Sequence, residues 1–95
     1  MDPLSPEDRA LALLELPSWR YDDERKALFR RIEQPDFIAA FGMMTRIAIA
    51  AEKADHHPEW ANVYNRVDIW LTTHEAGGVS TRDIGLAAVI DALSK

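Results

Sequence analysis

The chain has 95 residues, a length that predicts a single domain covering residues 1–95. Its formal net charge of −5 argues against a surface that binds a phosphate backbone, so we expect no direct nucleic-acid contact. No apolar run approaches the roughly 20 residues that a membrane-spanning helix needs, and the acidic start lacks the basic and apolar regions of a signal peptide. The absence of cysteine fits a cytoplasmic protein.

The first predicted element is a helix near the N-terminus. Ser5 can cap it, and it is expected to run to about Leu16, because Pro17 cannot continue a helix. Within this helix, Leu11 and Leu14 are expected to face the core.

Two short strands are predicted next, at Trp19–Tyr21 and Ala27–Ile32, with a polar turn over Asp22–Arg25 between them. Alternation of apolar and polar residues is poor in both segments, and Arg30 and Arg31 would lie on opposite faces. The prediction of two strands therefore rests mainly on the polar composition of the turn between them.

A long helix is predicted over residues 36–55, with apolar residues on two adjoining faces. An apolar arc of this width exceeds what one sheet covers. We therefore expect one face to pack on the sheet and the other to contact a partner subunit; the alternative is a helix enclosed within its own small core. The first face consists of Phe37, Phe41, Met44, Ala48 and Ala51, and the second consists of Ala40, Met43, Ile47, Ala50 and Ala54.

Two further strands, Ala61–Tyr64 and Arg66–Thr73, are predicted after Pro58, which ends the long helix. The second of them alternates in the manner of a half-buried strand. The segment His74–Gly78 is predicted to form a loop, and Ser80 begins a last helix with a capping box. The elements therefore follow the order α-β-β-α-β-β-α, which is typical of the α+β class.

All three histidines lie in two short segments, as the adjacent pair His56 and His57 and as His74. A free imidazole titrates at roughly 6.5, so histidine can give or take a proton near neutral pH. With no cysteine and no phosphate-binding loop, these imidazoles are the best candidates for chemistry. A histidine pair before proline is also typical of a helix end, where imidazole interacts favourably with the helix dipole. Taken alone, the histidines favour that structural interpretation.

The segment around these histidines resembles the pterin-4a-carbinolamine dehydratase family. The family pattern runs E-K-x-x-H-H-P-x-W, then N-x-Y-x-x-V, then T-H-x-x-G-G, then a Ser/Thr-rich turn with Asp. The resemblance covers residues 35–93. Trp70 departs from animal members, which carry a smaller residue there, and this difference is expected to affect surface contacts rather than chemistry. The matching residues are Glu52, Lys53, His56, His57, Pro58, Trp60, Asn62, Tyr64, Val67, Thr73, His74, Gly77, Gly78, Thr81 and Asp83.

The resemblance implies a four-stranded antiparallel sheet with helices packed on one face. It also implies a dehydratase (hydro-lyase) that removes water from 4a-hydroxytetrahydropterin and gives quinonoid dihydropterin, in tetrahydrobiopterin recycling. His56 and His74 would be the general acid/base pair, and His57 would bind and orient the pterin. A well-placed proton-transfer group contributes about 10²–10⁴-fold to a rate.

Six further residues are expected to contact or tune the substrate site. Carboxylates beside the histidines could fix a tautomer, and two adjacent threonines could offer hydroxyl or backbone groups to the pterin's amide edge. Asp83 could equally complete a capping box with Ser80, and Trp60 could be a core or pocket wall rather than a stacking platform. The six residues are Glu52, Asp55, Trp60, Thr72, Thr73 and Asp83.

The resemblance implies that pterin is the substrate and that no metal or organic cofactor takes part. Three imidazoles and a carboxylate could instead bind zinc, although the i, i+4 spacing of many catalytic zinc sites is absent. The family also implies a homo-oligomer, a dimer or tetramer, with helix 36–55 at an interface, and a functional link to an aromatic amino acid hydroxylase. Animal relatives bind a homeodomain transcription factor through the same helical face, but we expect self-association here.

Overall fold

In the computed structural model, which describes residues 1–95, the elements follow the predicted order α-β-β-α-β-β-α. A short 3₁₀ turn, His74–Ala76, replaces the loop predicted after the last strand. No helix has both the length and the apolar character needed to cross a membrane. The elements are α1 (Pro6–Leu13), β1 (Arg20–Asp22), β2 (Ala27–Glu33), α2 (Phe37–Ala54), β3 (Glu59–Val63), β4 (Arg66–Leu71) and α3 (Thr81–Leu93).

The four strands form one antiparallel sheet in the order β1-β2-β4-β3, which confirms the predicted fold class. Its inner face packs against the helices and carries the buried strand residues Leu28, Ile32, Val67, Ile69 and Leu71. Because side chains alternate along a strand, the residues between them point the other way. This outer face carries Phe29, Arg31, Glu33, Glu59, Asp68 and Trp70.

Helix α2 buries one side and exposes the other. Asp36 caps its start, because Oδ1 accepts a hydrogen bond from the Ala39 backbone N–H at 2.8 Å. Of the two predicted apolar faces, the one that contains Met43 and Ile47 is buried against the rest of the core. The other side leaves large apolar side chains largely exposed: Phe37, Ile38, Phe41 and Ile49.

The first helix is shorter than predicted and does not bury its leucines. It ends at Leu13, and Leu11 and Leu14 are 63% and 74% exposed, so the prediction that they face the core was wrong. The chain leaves the helix through tight i to i−3 hydrogen bonds, which include Leu16 N–H to the Leu13 carbonyl at 3.0 Å and Trp19 N–H to the Leu16 carbonyl at 2.9 Å. This tighter winding turns the chain inward, and Leu16 and Trp19 enter the core instead.

The last two strands are displaced from their predicted limits. β3 begins at Glu59 rather than Ala61, and β4 ends at Leu71, two residues before the predicted end. Thr73 does not continue the pairing of β4 with β2. Its backbone N–H instead donates to the Gly78 carbonyl at 2.9 Å, so that Thr73 and Gly78 bracket the 3₁₀ turn. The strand ends therefore bring Glu59 and Thr73 to the same corner of the sheet as the turn that carries the third histidine.

Candidate active site

An open cleft of about 420 Å³ lies where α2 ends, β3 begins and β4 leaves the sheet. Its volume falls within the roughly 300–1,000 Å³ that is common for small-molecule sites. All lining residues except a proline carry polar side chains, and all three histidines are among them. The lining residues are Asp55, His56, His57, Pro58, Glu59, Thr72, Thr73, His74, Glu75 and Arg82.

The end of α2 gives the two adjacent histidines different surroundings. Asp55 adopts a left-handed conformation with φ of 51°, and its backbone N–H binds the Glu52 carbonyl at 3.1 Å. The His56 N–H reaches back to the Ala51 carbonyl at 3.1 Å, which completes a Schellman motif. After this reversal the His56 residue is only 9% exposed, whereas the side chain of His57 is 61% exposed.

His56 forms a buried pair with Asp83 in the first turn of α3. Its Nε2 lies 2.5 Å from Oδ1 of Asp83, which is fully buried. The second carboxylate oxygen accepts hydrogen bonds from the Ser80 backbone N–H at 2.8 Å and from the Thr73 hydroxyl at 2.7 Å. Because a carboxylate accepts hydrogen bonds, we assign the ring proton to Nε2, and no protein group forms a hydrogen bond with Nδ1.

The capping box of α3 holds Asp83 in this position. The Asp83 carboxylate accepts from the Ser80 backbone, and the Ser80 hydroxyl accepts from the Arg82 backbone at 3.2 Å. The Ser80 and Thr73 hydroxyls lie 2.7 Å apart, and no buried polar side-chain atom in the domain lacks a partner. One carboxylate therefore caps a helix and also fixes an imidazole ring.

The other two histidines pair with carboxylates at the surface. His57 Nε2 lies 2.8 Å from Oε1 of Glu52, and His74 Nε2 lies 3.0 Å from Oε2 of Glu59. The His74 side chain is 83% exposed. The remaining oxygen of Glu59 accepts a hydrogen bond from Arg25 Nη2 at 2.9 Å. All three imidazoles thus face a carboxylate through Nε2 and leave Nδ1 free.

The six residues expected to bind substrate occupy different places. Glu52 lies outside the cleft lining and reaches the site only through His57. Trp60 does not line the cleft, because it points from β3 toward the inner face and packs on the core. Asp83 lies beneath His56 with no exposed surface, so its contact is with the imidazole rather than with a ligand. The three that line the cleft are Asp55, Thr72 and Thr73.

Besides Pro58, three polar lining residues were not predicted as site residues, namely Glu59, Glu75 and Arg82. Arg82 Nη2 donates a hydrogen bond to the Asp55 backbone carbonyl, which ties the start of α3 to the end of α2. Glu59 occupies the unspecified position of H-H-P-x-W, so the family pattern gave no signal for it. Its neighbour Trp60 was the residue that the pattern emphasised.

The donor set does not resemble a metal centre. Each imidazole faces its own carboxylate, and nowhere in the domain do three or more His, Asp or Glu residues converge so that they could hold a metal ion. Catalytic zinc sites require three protein ligands around one point. The zinc alternative therefore lacks a ligand set.

The fold and the cleft together define a small α+β domain with several acid/base side chains around one polar site. The family model described as pterin 4 alpha carbinolamine dehydratase matches residues 2–93, nearly the whole chain. The chain belongs to this family, which confirms the resemblance read from the histidine segment.

Similar proteins match most or all of the chain. A protein of Rhizorhabdus wittichii is 59% identical over 95 residues, which cover 100% of this chain and 98% of the relative. A protein of Bordetella avium is 54% identical over 84 residues, or 88% of this chain and 78% of the relative. Both are named "Putative pterin-4-alpha-carbinolamine dehydratase". A crystal structure described as a transcriptional coactivator/pterin dehydratase from Brucella melitensis has a TM-score of 0.95 and 42% identity, covering 99% of this chain and 100% of its own.

Proposed function

We propose that this chain is a 4a-hydroxytetrahydropterin dehydratase, a hydro-lyase that removes water from the pterin ring and releases quinonoid dihydropterin. The observation that carries the proposal is the polar cleft that gathers His56, His57 and His74 from two distant parts of the chain. Membership of the dehydratase family supports the same reaction and the same substrate class.

The reaction requires two proton transfers at the pterin ring. A general acid gives a proton to the C4a hydroxyl, which departs as water when the C4a–O bond breaks. A general base takes the proton from the neighbouring ring nitrogen, and the electron pair of that N–H bond forms the new carbon–nitrogen double bond. No net oxidation or reduction occurs, so acid and base groups suffice for the chemistry.

His56 and His74 are the proposed acid and base. In each ring Nε2 faces a carboxylate, so Nδ1 is the nitrogen available for proton exchange with the substrate. A carboxylate that orients an imidazole and stabilises the imidazolium is the arrangement that serves proton transfer in Ser-His-Asp triads. Opposite stereoisomers at C4a would exchange the two roles.

His57 and the threonines are proposed to bind and orient the pterin. The His57 ring is exposed at the cleft and has a free Nδ1. The Thr73 hydroxyl donates to Asp83, and the Thr72 hydroxyl donates to the Lys26 carbonyl at 2.9 Å. The Thr73 backbone N–H and carbonyl are also paired, with Gly78 and Ala76. Thr72 is therefore the threonine that offers hydroxyl lone pairs and free backbone groups to the amide edge of the ligand, and Thr73 supports the site through Asp83.

The proposal is tested by the rate of dehydration of synthetic 4a-hydroxytetrahydropterin, followed by ultraviolet absorbance. Wild-type protein is expected to accelerate the reaction. His56→Ala and His74→Ala are each expected to lower kcat by about 10²–10⁴-fold, the contribution of a placed proton-transfer group. His57→Ala is expected to act mainly on KM, and elemental analysis of the active protein is expected to find no bound metal. Well-folded wild-type protein without any acceleration would contradict the proposal.

We also propose that the exposed side of α2 mediates self-association into a dimer or tetramer. Large apolar side chains lie exposed along this helix, including Phe37, Ile38 and Phe41, and a contiguous exposed apolar patch of this kind marks a protein-protein contact. Light scattering at micromolar concentration is expected to give the mass of an oligomer. A monomer would overturn this assignment and favour another protein partner, in line with the coactivator description of the Brucella melitensis structure.

In metabolism, we place the reaction in the recycling of tetrahydrobiopterin that follows turnover by an aromatic amino acid hydroxylase. Family membership supports a pterin substrate, and the absence of cysteine is consistent with work in the cytoplasm. Kinetics with pterins that differ only in the side chain at C6 would identify the preferred substrate.

A further inference from the structure

Glu59 connects the cleft with the outer face of the sheet. Its Oε2 lies 3.0 Å from His74 Nε2, and its Oε1 accepts a hydrogen bond from Arg25 Nη2 at 2.9 Å. We propose that Glu59 is a positioning residue for His74, and that Arg25 fixes the direction of the Glu59 carboxylate. This inference rests on the dehydratase function proposed above, because it assigns a partner to one of the two proton-transfer groups.

His74 has little else to hold its ring. The side chain is 83% exposed, and it stands on the 3₁₀ turn His74–Ala76, which has no side-chain cap. Exposed side chains change rotamer within picoseconds to nanoseconds, whereas proton transfer requires a group within hydrogen-bond reach of its target. The hydrogen bond to Glu59 favours one orientation of the ring and the tautomer with the proton on Nε2, which leaves Nδ1 as the nitrogen without a protein partner.

Arg25 is itself held from two directions on the outer face. Its guanidinium carbon lies 3.8 Å from the centroid of the Trp70 ring, within the range of a cation–π contact. Its backbone N–H donates to Oδ1 of Asp22 at 3.2 Å, and the Trp70 indole N–H donates to Oδ2 of Asp22 at 3.3 Å. The hydrogen bond from the Arg25 backbone is the main cause that holds the pKa of Asp22 below its ordinary value. These contacts place the Arg25 guanidinium within hydrogen-bond reach of Glu59.

The sheet places these groups side by side. Glu59 of β3 lies directly opposite Trp70 of β4, and Phe29 of β2 packs on the other side of Trp70 with ring centroids 5.0 Å apart. Arg25 therefore lies over a tryptophan that two neighbouring strands support. Trp70, which was expected to affect surface contacts only, is connected to His74 through Arg25 and Glu59.

Three variants separate positioning from general effects. Glu59→Ala removes the acceptor, and Glu59→Gln keeps a neutral acceptor of the same length. Glu33→Ala is the matched control, because Glu33 is an exposed carboxylate on the same outer face, opposite Arg66 and far from the cleft. Glu59→Ala is expected to lower kcat about 10-fold and to leave KM nearly unchanged. This loss is smaller than the about 10²–10⁴-fold contribution of a proton-transfer group itself, because His74 is still present. Glu59→Gln is expected to recover part of that loss, and Glu33→Ala to behave as wild type.

Nitrogen NMR of the imidazoles provides a readout that does not depend on activity. At about pH 8, where a free imidazole is neutral, wild-type His74 is expected to carry its proton on Nε2. Glu59→Ala is expected to shift His74 toward a mixture of tautomers, while His56 keeps its wild-type signals. If the wild-type protein is active but Glu59→Ala changes neither kcat nor the His74 spectrum, the positioning role is overturned and the proposed dehydratase function stands. A wild-type protein without dehydratase activity would sink the proposed function, and the positioning role with it.

Discussion

The three histidine–carboxylate pairs of the cleft make the same kind of contact, but one pair is buried and the other two are exposed. His56 meets a carboxylate that has no exposed surface and receives two other hydrogen bonds. His57 and His74 meet carboxylates at the surface, where water competes for every group. A hydrogen bond to a charge is worth more away from water, and leaving it unmade costs more. The cleft therefore combines one imidazole that is held by buried contacts with two exposed imidazoles that each depend on a single carboxylate.

The difference follows from the backbone around each ring. His56 follows the left-handed residue Asp55, which turns it toward the capping box of α3. His57 comes one residue later and points outward, and His74 stands on a short turn at the edge of the sheet. Burial is thus decided by helix ends and turns rather than by the histidines themselves.

Asp83→Asn breaks the buried pair and is expected to have the largest effect. An asparagine puts an N–H donor in place of one carboxylate oxygen, so His56 either loses its acceptor or moves its proton from Nε2 to Nδ1. We expect the free energy of unfolding to fall by about 1–3 kcal/mol, the cost of an unsatisfied buried group. We also expect kcat to fall by about 10²-fold or more. Denaturant unfolding and the dehydration assay measure the two losses.

Ser80→Ala is the control for this prediction. It removes the side-chain cap of α3 but leaves the contact between His56 and Asp83. Loss of a cap is expected to lower the free energy of unfolding by about 1 kcal/mol, with a much smaller loss of kcat than in Asp83→Asn. Equal losses of kcat in the two variants would mean that the helix cap, and not the buried pair, supports the chemistry.

Glu52→Gln breaks an exposed pair and is expected to have a smaller effect. Exposed ion pairs contribute little and are screened by salt, so we expect KM to rise by about 2- to 5-fold with kcat nearly unchanged. Raising the salt concentration is expected to bring the wild-type KM toward that of the variant. A large fall in kcat would show that His57 takes part in proton transfer and does more than bind the pterin.

Asp68→Asn lies on the outer face, away from the cleft, and is expected to have the smallest effect. The hydrogen bond from the Arg31 guanidinium, 2.6 Å from Oδ1, is the main cause that lowers the pKa of Asp68 from its ordinary value of 3.8. A carboxyl group whose pKa is lower in the folded than in the unfolded protein contributes stability at every pH above its unfolded pKa. That contribution is lost as the pH falls through the folded pKa. Thermal unfolding is therefore expected to separate variant from wild type near neutral pH and to bring them together in acid, with activity unchanged. A gap that widens in acid would contradict this.

The order of elements could be predicted because local signals set their ends. The proline after His57 and the capping box at Ser80 both operate within a few residues, and the structure has helix ends at both places. The burial of Leu11 and Leu14 could not be predicted in this way. Their spacing fits one helical face, but α1 buries no residue and ends at Leu13, so both side chains remain exposed. Their burial depended on tertiary packing, which periodicity does not contain.

The family pattern identified the histidines and two of their carboxylate partners, Glu52 and Asp83, but not the third partner, Glu59. Asp83 lies 27 residues from His56, and only the folded chain brings the two together. Glu59 occupies a position that the pattern leaves open, and its role depends on the register that sets β3 beside β4. Trp60 was emphasised by the pattern and turned out to face the core. Side-chain direction at a strand edge is fixed by pairing, which the sequence of one strand does not reveal.

The most direct test of the contrast between buried and exposed pairs is a pair of double-mutant cycles on kcat/KM. One cycle combines His56→Ala with Asp83→Asn, and the other combines His57→Ala with Glu52→Gln. We predict strong coupling in the buried pair, with the double variant about as slow as His56→Ala alone, and little coupling in the exposed pair. Equal coupling in the two cycles, or additive losses in the buried pair, would contradict the account.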